Sequence, residues 1–140
     1  MGLEGKVIKD CVSDFTFDAA HYTPVSGEPL LHGHTFKVEV CVEGRSGSLW
    51  VADFIELRNI VRGLIEPLNY SLLVPSRHAG KILFNAPFKI KERTFECMSV
   101  TAECIGSHIC SELRQIYRDE GQRIMVIIEE GVGNKAVTKC

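Results

Sequence analysis

His34-Thr35-Phe36-Lys37-Val38-Glu39-Val40-Cys41-Val42-Glu43 is the stretch on which the fold turns. Phe36, Val38, Val40 and Val42 occupy every second position, with Lys37, Glu39, Cys41 and Glu43 between them. A period of two belongs to a strand with one face on a core and the other toward water. Upstream, Val7 to Ala20 alternates well enough, with Phe15 and Phe17 on one side, to predict a strand running into His21. Between the two, Pro24, Gly27 and Pro29 predict a loop over Tyr22 to Leu31.

Downstream, Gly44 to Ser48 reads as a turn and Leu49-Trp50-Val51 as a short return strand. Asp53 is placed to cap a helix from Phe54 to Leu68, with Phe54, Leu57, Ile60, Val61, Leu64 and Ile65 at core spacing and Pro67 discouraging extension. Lys81 to Pro87 reads as a short strand, whereas Phe88 to Met98 is ambiguous. Ile105, Ile109, Leu113 and Ile116 stripe a second helix from Thr101 to Asp119. Ile124 to Glu130 is a buried-type strand that ends at the turn Gly131-Val132-Gly133-Asn134. The order β-β-α-(β)-α-β predicts an α+β domain of antiparallel strands with two helices on one face.

Composition bounds what this domain can do. At 140 residues and 45% hydrophobic, the chain supports one core, so residues 1–140 read as a single domain. A net charge of -2 without a Lys/Arg cluster argues against nucleic-acid binding. No run approaches the ~18 to 20 apolar residues of a membrane span, and no charged segment precedes an apolar signal core, so a cytoplasmic protein is expected. The six cysteines, at 11, 41, 97, 104, 110 and 140, show no regular spacing and read as buried thiols of a reduced compartment.

Three histidines carry the chemistry. His32 and His34 share a strand face by period two, and His21 ends the neighbouring strand. Three neutral imidazoles would make an open Zn2+ site, with a fourth position left for water or substrate. His78 and His108 read as ordinary packed or surface histidines. A closed structural zinc would need Cys11 or Cys41 as a fourth ligand, and no spacing recommends either. His32-x-His34 followed by Glu39 has the spacing of a first cupin metal motif, but Glu39 falls on the opposite strand face and two long helices do not suit a jelly roll.

Phe17-Asp18-Ala19-Ala20-His21, His32-Gly33-His34, Val51-Ala52-Asp53-Phe54, Thr101-Ala102-Glu103 and the pair Glu129-Glu130 resemble, in order, the 6-pyruvoyltetrahydropterin synthase and 6-carboxytetrahydropterin synthase family. The resemblance spans residues 15 to 138. It implies the tunnelling fold, a four-stranded antiparallel sheet backed by two helices, with subunits closing into barrels as homohexamers and active sites between subunits. It implies zinc on His21, His32 and His34, and a pterin gripped by a carboxylate of the last strand, Glu130 first and Glu129 as the alternative. Asp53 would either orient a zinc-bound imidazole or only cap the helix. Thr101 and Glu103 would reach the pterin ring or form only the start of the second helix.

The departures from the family pattern are informative. The family's catalytic cysteine, four residues before the His-Gly-His triplet, is replaced by Glu28. Its Asp-His pair after the first helix is replaced by Asn69 and Tyr70. A subgroup with glutamate for cysteine cleaves 7,8-dihydroneopterin or its phosphate to 6-hydroxymethyl-7,8-dihydropterin. The resemblance thus implies a retro-aldol lyase in which Glu28 is general base, zinc polarises the substrate diol, and Tyr70 returns a proton or hydrogen-bonds the substrate. The alternatives are a pyruvoyl- or carboxy-tetrahydropterin synthase and a catalytically silent pterin-binding protein.

Overall fold

The computed structural model describes residues 2–47 and 49–140. Its strands are β1 (Val7–Val25), β2 (Glu28–Arg45), β3 (Ser71–Pro75), β4 (Glu92–Phe95), β5 (Arg123–Glu130) and β6 (Asn134–Lys139), and its helices are α1 (Phe54–Ile65) and α2 (Ala102–Ile116). They form one sheet in the order β4-β3-β1-β2-β5-β6. β3 runs parallel to both β1 and β4, and the other pairs are antiparallel. The expected four-stranded antiparallel sheet is therefore corrected to a six-stranded mixed one. β3 escapes a reading by alternation because all five of its residues are buried, as is usual for a parallel strand covered on both faces.

The loop expected over residues 22–31 is instead a continuous hairpin. Ser26 and Gly27 both have positive φ, 52° and 90°, as a two-residue type I′ turn requires. Val25 pairs with Glu28 across that turn, which leaves Pro24 opposite Pro29. Such alternate pairs exchange no ladder bonds, so two prolines without N–H groups fit there.

A bulge in β1 decides which face His21 occupies. Between Val12 and Phe15 the register against β2 slips by one residue, and Asp14 takes φ 69°. The slip exchanges parity, so Val12 below it and Phe15, Phe17, Ala19 and His21 above it are all buried. Phe17 stacks on Phe36 across the ladder with ring centroids 4.9 Å apart.

Both helices pack on this face, as expected. Leu57, Val61 and Ile65 of α1 and Ile105, Ile109 and Leu113 of α2 join Val38, Val40, Ile124, Val126 and Ile128 in one core. Pro67 converts the end of the first helix into a 3₁₀ turn over Glu66–Leu68. Ile116, expected in the stripe of the second, is half exposed.

Two expected strands are absent. Leu49 to Val51 forms no ladder, because the N–H groups of Val51 and Ala52 donate to the buried Asp10 carboxylate at 2.9 and 3.0 Å. Ser48, in the expected turn, lies outside the described residues. Lys81 to Pro87 is coil with Leu83 fully exposed, since β4 already occupies the sheet edge beside β3.

The cysteine reading is also corrected. All six are paired, as Cys11–Cys41, Cys97–Cys104 and Cys110–Cys140. Cys11 faces Cys41 by strand register, and Cys110–Cys140 joins α2 to the end of β6. Partners chosen by register and packing leave no trace in sequence spacing.

Candidate metal centre and adjoining pocket

His21 and His32 are register partners on β1 and β2, and His34 follows one period later. Their ligand atoms all lie within 4.8 Å of one another. His21 Nδ1 is 2.7 Å from the Val100 carbonyl oxygen, and His32 Nδ1 is 2.8 Å from that of Leu30. A carbonyl only accepts, so each Nδ1 carries the ring proton and each neutral ring turns a bare Nε2 lone pair inward. Those two Nε2 atoms are 2.9 Å apart. A Glu130 carboxylate oxygen lies 3.3 Å from His21 Nε2 and 3.7 Å from His34 Nε2.

The Nε2 lone pairs of His21 and His32 and the Glu130 carboxylate thus converge, an arrangement that suits a cation. A proton is disfavoured at His21, whose pKa is lowered chiefly by burial; the Val100 carbonyl and the Glu130 charge oppose that shift, and His32 and His34 add to it. Three neutral imidazoles suit a zinc ion with an open position. The Nδ1–H···O=C bonds of His21 and His32 are the kind of outer support that orients metal-ligating histidines.

The strand pleat separates the two glutamates. Glu130 pairs with Phe36 and shares the histidine face. Glu129 pairs with Lys37 on one side and Lys135 on the other, and its carboxylate accepts from Gly133 N–H at 3.3 Å. Glu130 also lines a pocket with Thr23, Thr101, Glu103, Asn134 and Lys135. Thr101, Glu103 and Glu130 are therefore brought together beside the trio. Thr101 additionally caps α2 by accepting from Cys104 N–H at 3.3 Å.

Other candidates lie elsewhere. The Asp53 carboxylate accepts from the N–H groups of Ile55 and Glu56 at 2.8 and 3.3 Å, so of its two expected roles Asp53 fills that of helix cap, while backbone carbonyls support His21 and His32. Asn69 Oδ1 accepts from Asp18 N–H at 2.8 Å. Tyr70 holds φ 57° and projects to solvent. Glu28 follows the hairpin turn, on the strand face of His32 but roughly 13 Å along at about 3.3 Å per residue. Glu28 therefore does not reach the trio within one chain, whereas Tyr70 lines an open hollow together with His34, Asp18 and Ser71. His78 accepts or donates to the Tyr22 hydroxyl at 2.8 Å, and His108 packs edge-on to Phe95. The Val100 and Leu30 carbonyls were illegible in the sequence, since any residue type supplies a carbonyl.

The fold and site together define an α+β domain in which a cluster of three histidines able to hold a metal ion adjoins a pocket lined by Glu103 and Glu130. The family model described as 6-pyruvoyl tetrahydropterin synthase matches residues 10–139, and the chain belongs to that family. It is 39% identical over 70 residues to a dihydroneopterin monophosphate aldolase of Pyrococcus furiosus, a match covering 50% of this chain and 56% of the aldolase. It is 27% identical over 146 residues to a protein of Methanocaldococcus jannaschii named as a candidate 6-carboxy-5,6,7,8-tetrahydropterin synthase, with 86% of each covered. The 6-pyruvoyl tetrahydropterin synthase of Plasmodium vivax superposes with a TM-score of 0.77 at 19% identity, covering 96% of this chain and 98% of that one. A variant of that enzyme, described as a catalytic-residue mutant with glutamate changed to alanine, gives 0.76 at 19% identity, with the same coverage.

Proposed function

We propose that this protein is a zinc-dependent lyase acting on the side chain of 7,8-dihydroneopterin or its phosphate. Retro-aldol cleavage of the C1'–C2' bond would leave 6-hydroxymethyl-7,8-dihydropterin and glycolaldehyde or its phosphate. The observation that carries this reading is the gathering of three imidazoles, with ligand atoms within 4.8 Å of one another, beside a pocket holding Glu130, Thr101 and Glu103. The aldolase named above and the Plasmodium synthase with a catalytic glutamate support it.

Glu130 grips the amino-pyrimidine edge of the pterin, with Thr101 and Glu103 at the ring. Zinc on His21, His32 and His34 would lower the pKa of the substrate diol and stabilise the charge that develops on it. Glu28 takes the C2' hydroxyl proton as general base, for which the hairpin tip must approach the substrate. Tyr70 returns a proton to C1', and Asn69 holds the turn that presents it. The conjugated ring takes up the electron pair of the broken bond. Chains assemble through the outer edges of β4 and β6 into the barrels of a homohexamer, since an unpaired strand edge favours further pairing. No helix is long and apolar enough to cross a membrane. A cytoplasmic location belongs to this proposal, in a cell whose interior sustains disulfides, as in hyperthermophiles.

Incubation of zinc-loaded protein with 7,8-dihydroneopterin, its monophosphate and its triphosphate, with chromatographic separation, tests the reaction. Hydroxymethyl-dihydropterin is expected, whereas a triphosphate-elimination product would make the protein a synthase. His21→Ala should lose the metal. Glu28→Gln should keep it and lose turnover by at least about a hundredfold, in the range of general-base removal. A fully active Glu28→Gln variant transfers the base role to another carboxylate. Glu130→Gln should raise KM for the pterin, and Glu129→Gln should leave it unchanged.

A further inference from the structure

The ring proton of His21 is held by the carbonyl of Val100, whose side chain is packed in the core but whose segment has few backbone hydrogen bonds of its own. Residues 96–100 follow β4 without joining a ladder or helix. The local backbone bond there runs from Thr101 N–H to the Ser99 carbonyl at 3.0 Å. Side chains of the preceding loop add Arg77 Nη1 to the Cys97 carbonyl at 3.3 Å and Ser76 Oγ to Glu96 Oε1 at 2.6 Å. The covalent tie is the disulfide from Cys97 to Cys104 in the first turn of α2. The ring it closes contains Val100, Thr101 and Glu103, the acceptor for His21 and two residues lining the pocket.

We propose that the Cys97–Cys104 disulfide is a positioning clasp for the metal centre and pocket, fastening the Val100 carbonyl, Thr101 and Glu103 to α2. This rests on the reading of the histidine trio as a metal site. The bond touches neither metal nor substrate; it acts through the direction of the carbonyl. With the clasp open, residues 96–99 can shift about the end of β4 and only the packed Val100 side chain holds its carbonyl in place, so the bond to His21 Nδ1 is less constrained and the ring is held less firmly in the tautomer that turns a bare Nε2 inward. A metal-ligating histidine deprived of such a partner typically loses 10–100-fold in metal affinity.

The test is a zinc titration against a chromophoric chelator on wild type, C97S/C104S and C110S/C140S, with the melting temperature of each. Nitrogen-15 imidazole spectra of the metal-free forms report the His21 tautomer. The proposal expects C97S/C104S to bind zinc about 10–100-fold more weakly, to show mixed His21 tautomers, and to raise KM for the pterin. C110S/C140S should lose melting temperature and keep wild-type affinity. Equal zinc affinity in C97S/C104S and wild type overturns the clasp, as does an equal loss in both double variants. A wild-type protein that binds no zinc ends the metal reading and the clasp with it. Should C97S/C104S fail to fold, C97A alone opens the same bond while Cys104 stays packed in the core, and the same outcomes apply.

Discussion

At the scale of single residues, one step along a strand separates Glu129 from Glu130 in role. Adjacent residues face opposite sides of a sheet, and the register with Phe36 gives Glu130 the histidine side. Tyr117 illustrates a cost of the same close packing. Its hydroxyl is buried without a hydrogen-bond partner among the described residues. Its pKa is raised above 10.0, by burial first and then by the nearby charges of Glu56 and Asp53. The fold thus favours the neutral phenol, so this contribution to stability is present below pH 10 and is lost as pH rises through the folded pKa. Tyr117→Phe should leave stability at pH 8 unchanged or raise it by up to ~1 kcal/mol, because an unpaired buried hydroxyl is removed. It should also weaken the loss above pH 10; denaturant midpoints at pH 8 and 10.5 measure both.

Between elements, α2 lies close against β6 at Gly106. A Cβ on Gly106 would lie 2.7 Å from Thr138 Oγ1 and 3.5 Å from Ile128 Cγ1. Alanine gains ~1 kcal/mol of helix propensity over glycine, but overpacking costs about 1–3 kcal/mol. Thr138 is β-branched and yields poorly at χ1. Gly106→Ala should therefore destabilise by roughly 1 kcal/mol on balance. Gly106→Ala with Thr138→Ala should be more stable than the sum of the single changes predicts, a coupling readable in a double-mutant cycle of urea midpoints. The hairpin of β1 and β2 is the other decisive element. Its turn carries Glu28 at the tip, and its bulge turns His21 inward.

For the whole molecule, three disulfides tie the chain together, two of them across 30 residues and one across seven. Cys110–Cys140 joins residues 30 apart and ties the end of β6 to α2. In the chain-entropy account, a loop of that length restrains the unfolded chain by ~3.7 kcal/mol, against ~2.5 kcal/mol for the short Cys97–Cys104 ring. C110S/C140S should therefore lower the melting temperature more than C97S/C104S does. The reverse order would show that native-state packing, not loop length, sets their contributions. The two pairs thus separate by readout, the longer loop in stability and the shorter ring in zinc affinity.

The sequence by itself determined the features that depend on local pattern. Period two in Phe36 to Val42 marked β2, helical stripes and the Asp53 cap marked α1 and α2, and the paired motifs brought His21, His32 and His34 together as a candidate site. Each signal is written in residue type and spacing. Long-range pairing decided the rest. β3 carries no alternation because both its faces are covered, and the prolines of the β1–β2 hairpin are tolerated only because the turn sets their register. The cysteines found partners across the sheet and the core. Above all, the Val100 carbonyl reaches His21 from 79 residues away, and a backbone acceptor has no letter in the sequence. Its place follows only once β4, the clasp and α2 have packed against the sheet.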